Sequence, residues 1–149
     1  MDNQQKSLEG DLFWIGGIID GEGMITAMTR NERGRKEHAY IPRISIVNTN
    51  QTMIDECSRI LKDNNIPIYI QTKEGKGTWK TKIELIISGF KRVSFALPIL
   101  MPYIRVKRPQ ATLLLQLCTV RLLTSRQPYT PQEHQMVTEL RRYNKGGDL

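Results

Sequence analysis

This chain is poor in cysteine, histidine and long apolar runs, and each shortage closes off a class of protein. Cys57 and Cys118 are the only cysteines in 149 residues and stand far apart. Two lone cysteines build no disulfide framework, so the expected compartment is intracellular and reducing. His38 and His134 have no cysteine or second histidine at ligand spacing, which argues against a zinc site. Residues 12–19 are apolar or glycine for only eight positions and follow an acidic segment. Neither a membrane span nor a signal peptide is expected. No internal repeat is present. With 39% apolar and 25% charged residues, the composition is that of an ordered chain with a real core. Its length suits one domain: a core over 1–124 and a C-terminal helical extension over 125–149.

Acid is the other shortage. Lys and Arg number 22 against 15 Asp and Glu, a net charge of +7, and a compact basic protein attracts polyanions, nucleic acid above all. The charge is unevenly placed. Residues 1–29 are net acidic, whereas Arg30, Arg33, Arg35, Lys36 and Arg43 crowd the next stretch against Glu32 and Glu37. Lys73, Lys76, Lys80 and Lys82 form a second cluster against Glu74 alone. Both clusters flank apparent hairpin turns, which suggests a single basic face.

Periodicity supplies the elements. Leu8, Leu12, Ile15 and Ile19 recur at helical spacing over residues 8–19, and Gly21 and Gly23 then break the helix. The alternating, β-branched stretches 24–30 and 40–48 read as a hairpin. Asn50 opens a helix to about Asn64, with Met53, Ile54, Cys57, Ile60 and Leu61 on its buried face. A second hairpin pairs Ile66–Lys73 with Trp79–Ser88 across EGKGT. Ser88 caps a helix over about 90–100, punctuated by Pro98 and Pro102. Pro109 begins a leucine-rich helix over 109–124. Thr130 and Glu133 form a capping box for a last helix ending near Tyr143. The class is α+β, in the order αββαββα followed by C-terminal helix.

The stretch FWIGGIIDGEGMITA (Phe13–Ala27) is where the chemistry concentrates. A dinucleotide-binding loop fails, because Thr26 occupies the third glycine position and the helix precedes the turn. An EF-hand loop fails because Met24 cannot supply an oxygen. A plain glycine-capped core helix would leave Asp20 and Glu22 at a helix C-terminus, where the dipole disfavours carboxylates unless a cation sits against them. Gly16, Gly17 and Gly21 would also cost helix stability, but glycine on one face permits close approach by another helix. The pattern is one of helix ends pressed side by side with carboxylates around metal.

Ile15-Gly16-Gly17-Ile18-Ile19-Asp20-Gly21-Glu22-Gly23 resembles the nine-residue motif of the LAGLIDADG homing endonucleases, with every position identical or conservatively replaced. The element order matches the family core over roughly residues 8–124, in the single-motif, homodimeric, intron-encoded type. The resemblance implies a site-specific DNA endonuclease acting as a homodimer. It would make metal-dependent double-strand breaks with short 3′ overhangs at a long pseudo-palindromic target. It implies Glu22 as the catalytic, metal-binding acid, with the Gly21 carbonyl as a further ligand. Mg2+ would be the cofactor, Mn2+ a substitute, and Ca2+ a metal that binds without supporting cleavage. Aligning VNTNQT gives Asn50 as a water-positioning residue, and aligning IRVKRPQA gives Lys107 as a basic residue stabilising phosphate charge. Phe13, Gly16, Gly17 and Asp20 fall at the implied dimer interface, Asp20 in a structural hydrogen-bonding role.

Four strands of this kind would make an antiparallel saddle following the major groove. Alternation puts Met24, Thr26, Met28 and Arg30 of the first strand and Arg43, Ser45 and Val47 of the second on its polar face. Tyr69, Gln71 and Lys73 of the third and Lys80, Lys82, Glu84 and Ile86 of the fourth join them. Arg33, Arg35, Lys36 and Lys76, in the turns, suit phosphates. Two other functions fit the same resemblance, an RNA maturase that binds intron RNA and a non-cleaving DNA-binding protein. Retention of Glu22 favours the enzyme. A bare dimerisation module is opposed by the basic strands. No membrane partner is expected, and the compartment would be that of the host intron, either cytoplasm or an organelle.

Overall fold

A computed structural model describes residues 3–30 and 39–146 of the chain. Helix α1 (Asn3–Glu22) leads into β1 (Gly23–Arg30) with no intervening loop, and β2 (Ala39–Asn48) returns beside it. Helix α2 (Gln51–Asp63) connects to the hairpin β3 (Tyr69–Lys73) and β4 (Lys82–Ser88). Three helices follow: α3 (Phe90–Leu100), α4 (Arg108–Leu123) and α5 (Pro131–Asn144), with a 3₁₀ turn at Met101–Tyr103 between the first two. The strands form one antiparallel sheet in the order β1-β2-β4-β3. This is the expected α+β architecture, αββαββα followed by two further helices, α4 and α5.

Several boundaries differ from the sequence reading, each for a physical reason. Helix α1 runs through Gly21 to Glu22 instead of breaking there. It stops at Gly23, where a Cβ would lie 2.9 Å from the Cα and carbonyl oxygen of Ile19, so only glycine allows so abrupt a turn into β1. Leu8 is exposed, and the buried side of α1 is carried by Ile15, Gly16 and Ile19. Strand β3 begins at Tyr69, because the Ile66 N–H closes α2 on the Leu61 carbonyl and Pro67 has no N–H to give. Lys80 lies in the connector before β4, not in the strand. The cap of α3 is Gly89, at φ 102°, and not Ser88.

The core lies between one face of the sheet and the helices. Ile25, Ala27, Ile44, Ile46, Ile83, Leu85 and Ile87 face inward onto Ile15 and Ile19 of α1, Ile54, Cys57 and Leu61 of α2, and the apolar sides of α3 and α4. Each such aliphatic side chain removed from water contributes roughly 1.5–3 kcal/mol. Residues 125–146 belong to the same core through Val137 and Leu140. The Thr130–Glu133 capping box forms as expected, and Glu133 also takes a buried ion pair from Arg121 at 3.2 Å. Farther along α5, Arg141 donates to the Ala27 carbonyl at 3.0 Å and Asn144 to the Ile25 carbonyl at 2.9 Å. Helix α5 thereby covers the open edge of β1, which would otherwise present unpaired backbone groups.

Candidate active site and nucleic-acid face

The end of α1 carries two acids, and the fold treats them differently. The Asp20 carboxylate turns inward and accepts the backbone N–H groups of Arg105, Val106 and Lys107 at 2.8, 3.0 and 3.0 Å. Those donors are three successive amides of the bend that runs into α4, ending at its N-cap Lys107, on the side where the helix dipole favours an anion. Asp20, placed by resemblance at a contact between chains, has its hydrogen bonds inside its own. The Lys107 ammonium bonds the carbonyls of Ile19 and Gly23. It is a cation of the kind a helix C-terminus calls for, supplied by this chain itself. Burial pushes its pKa below that of an ordinary lysine, and nearby Asp20 partly offsets the shift. Lys107 is thus held at the hinge between α1 and β1.

Glu22 faces solvent at the last turn of α1, beside the exposed Gly21. Asn48, at the end of β2, donates to Glu22 Oε2 at 2.5 Å. Asn48 Oδ1 in turn accepts the Asn50 N–H at 2.8 Å, and Asn50 Oδ1 caps α2 through the Met53 N–H at 3.2 Å. Asn50 is the N-cap of α2, in keeping with its place at the helix start, and the amide next to the acid is Asn48, which sequence alignment passed over. Strand parity held the signal: Asn48 has the core parity of Ile44 and Ile46. An amide pointing that way at a strand end needs a polar partner, and the end of α1 provides it.

Among the described residues no three His, Cys, Asp or Glu side chains gather as a metal cluster. A single exposed carboxylate is nevertheless a suitable donor for a hard cation such as Mg2+, which takes one or two carboxylates and completes its shell with phosphate oxygens and water. Glu22 and the Gly21 carbonyl fit that partial role, with the remaining ligands coming from outside the chain.

The outer face of the sheet is fixed by the register. Met24 pairs with Ser45, Thr26 with Arg43, and Arg30 with Ala39 across β1 and β2. Ser45 pairs with Ile86 and Val47 with Glu84 across β2 and β4. Tyr69, Gln71 and Lys73 face Ile86, Glu84 and Lys82 across β3 and β4. Met24, Thr26, Met28, Arg30, Arg43, Ser45, Val47, Tyr69, Gln71, Lys73, Lys82, Glu84 and Ile86 thus share the face opposite the core. Ile86 at 0% exposure and Ser45 at 7% are covered on that face and cannot meet a ligand directly, a correction to their expected role. Lys76 and Lys80 are exposed in the β3–β4 connector. Arg33, Arg35 and Lys36 lie outside the described residues. That connector also presents Trp79, which the sequence reading used only as a strand boundary, at 75% exposure among Lys73, Lys76, Lys80 and Lys82.

One further surface is unpartnered among the described residues. Gly16, expected to meet another copy, is instead buried against Tyr103, whose carbonyl oxygen would lie 2.2 Å from an added Cβ. Gly10, Gly17 and Gly21 meet nothing within 4 Å, and Phe13 and Trp14 beside them are 51% and 42% exposed. Phe13 rests edge-on against Tyr103, ring centroids 4.8 Å apart. The open side of α1 is thus a strip of bare backbone flanked by two aromatics.

With that geometry in place, comparison with solved structures is decisive for the fold. The homing endonuclease I-CvuI in complex with its target superposes with a TM-score of 0.65 at 18% identity, over 90% of this chain and 96% of that one. The fold is that of the LAGLIDADG homing endonucleases. The archaeal intron-encoded homing endonuclease I-Vdi141I, complexed with DNA, gives a TM-score of 0.69 at 16% identity, covering 95% of this chain and 86% of that one. The meganuclease I-SmaMI bound to uncleavable DNA gives 0.70 at 14% identity, covering 93% of this chain but only 45% of its own. No family model matches the sequence, and no curated protein is similar to it.

Proposed function

We propose that two copies of this chain act together as a site-specific, Mg2+-dependent DNA endonuclease that cuts both strands of a pseudo-palindromic duplex. The observation that carries the reading is the position of Glu22. It is an exposed carboxylate at the end of a glycine-bared helix side, next to the polar outer face of a four-stranded sheet. Two α1 helices packed along Gly17 and Gly21 bring two Glu22 carboxylates to one place, one for each strand of the duplex. The chain's coverage of less than half of I-SmaMI fits a unit that functions as a pair.

Within that reading each residue has a task. Asn48 holds Glu22 by one carboxylate oxygen, which fixes the direction in which the other points. Asp20 and Lys107 lock the α1–β1 corner to the start of α4, so the acid is presented by rigid backbone. The outer sheet face orients the duplex through Arg, Lys and Gln side chains while Met24, Met28 and Val47, all exposed, offer apolar contact to thymine methyls. Glu22 and the Gly21 carbonyl would hold a Mg2+ ion, which would supply a lowered pKa for an attacking water and positive charge beside the phosphate. The host intron's compartment, reducing and intracellular, is where such an enzyme would work.

The test uses a plasmid carrying the fused exons of the host gene, with wild-type protein and Glu22→Gln, in Mg2+ and in Ca2+. Linearisation in Mg2+, lost by about 10³-fold in the variant, is expected for a metal-ligating carboxylate. Tight binding of intron RNA with no nicking of DNA would replace the endonuclease by a maturase.

A further inference from the structure

Arg43, Tyr69 and Glu84 come from three different strands and meet on the outer face of the sheet. Arg43 Nη2 donates to the Tyr69 hydroxyl at 3.3 Å, and Nη1 lies 3.8 Å from Glu84 Oε1. The register puts Tyr69 in the row of Ser45 and Ile86, and Glu84 in the row of Val47. Arg43, one row farther along β2, must therefore extend over Ser45 and Ile86 to reach both partners. That path explains why those two are covered on a face otherwise open. Arg43 Nε is buried and has no partner among the described residues. Beyond the guanidinium opens a cavity of about 630 Å³ lined by Arg43, Val47, Gln71, Lys73, Lys82 and Glu84.

We propose that Tyr69 and Glu84 fix the Arg43 guanidinium as a pre-set reader of one guanine in each half of the DNA target, a proposal that rests on the endonuclease reading above. A carboxylate facing a polyanion is repelled by it, so Glu84 weakens attraction to phosphate wherever it stands. Its compensation here is geometric. A mobile arginine swings to the nearest phosphate and carries no sequence information. Held by a tyrosine on one Nη and a carboxylate on the other, this one keeps an N–H on each for a bidentate contact, matching the O6 and N7 acceptors of guanine. Arg43 is then the reader, and Tyr69 and Glu84 are positioning residues whose effect is on discrimination and not on attraction.

The experiment selects a consensus duplex from a random pool with the full-length wild-type protein in Ca2+. It then measures affinity for every single-base-pair variant of that consensus at fixed salt. One G·C position per half-site should resist substitution by about 5- to 150-fold, the range of a good bidentate contact. Arg43→Lys should flatten that position and leave the others in place. Glu84→Gln should hold or raise overall affinity while reducing discrimination at the same position severalfold, with Glu84→Asp restoring part of it. Tyr69→Phe should do the same more weakly, and thermal melts should show each variant folded. A consensus with no Arg43-dependent guanine, or a Glu84→Gln protein that loses affinity evenly at all positions, overturns this proposal and leaves the endonuclease reading standing. Failure of the wild-type protein to select any duplex overturns both.

Discussion

Gly16 and Gly17 are neighbours in the sequence, yet α1 places them in opposite surroundings. Gly16 is closed in by the backbone of Tyr103 from the same chain, whereas Gly17 meets nothing within 4 Å. Asp20 and Glu22 repeat the contrast one turn later: the first is bonded by three backbone N–H groups of its own chain, and the second is exposed and held by one side-chain amide. One side of the helix is thus committed to folding and the other is left open. The difference teaches that neighbouring glycines of one motif can have different reasons: Gly16 is required by packing within the chain, whereas Gly17 is not, and on the proposed reading it serves packing against a second copy.

Substitutions can break this contrast. Gly16→Ala should be the most damaging, destabilising the fold by about 3 kcal/mol or more, since rigid backbone must move to admit the methyl group; denaturant titration measures it. A drop under about 1 kcal/mol would mean that the two sides are not distinct. Gly17→Leu should leave stability nearly unchanged while weakening self-association by about 100-fold, or about 2.7 kcal/mol, read by sedimentation with the target duplex bound and free. Asp20→Ala should cost about 2 kcal/mol, because three backbone donors lose an ionised acceptor. The same loss from Glu22→Ala would erase the distinction between the acids.

The smallest effect sharpens the picture of the inward side. Burial raises the thiol of Cys57 from 9.0 to about 11 and that of Cys118 to about 12. Above pH 9 the unfolded chain releases thiol protons that the folded chain keeps, so stability must fall as pH rises through that window. Between pH 8 and 10 the loss should be roughly 1 kcal/mol per thiol. Melting curves of wild type and Cys57→Ala/Cys118→Ala should diverge in slope there.

Much of this was readable before any coordinates. Alternation in 24–30, 40–48 and 79–88 identified which strand residues share the outer face, Lys80 apart, because a two-residue period leaves no other choice once the core side is apolar. The capping box at Thr130 was equally plain, being a local pattern of hydrogen bonds. Less visible were features made by contacts across the chain. Nothing near Gly16 in sequence announces Tyr103, 87 positions later, as the residue that fills its place. Nothing near Lys107 announces that its ammonium is held by the Ile19 and Gly23 carbonyls. Asn48 was passed over for Asn50 because both are amides at the same turn, and only the packing of α1 over the end of β2 separates them.

The sequence by itself determined the order of the elements, the basic outer face and the presence of an acid at the end of a glycine-rich helix. Periodicity, capping and charge are local properties, and they act over a few residues. Tertiary structure decided which acid is exposed, which glycine is covered and which strand residues lie beneath Arg43. Those outcomes depend on segments distant in the chain competing for the same space and the same hydrogen bonds.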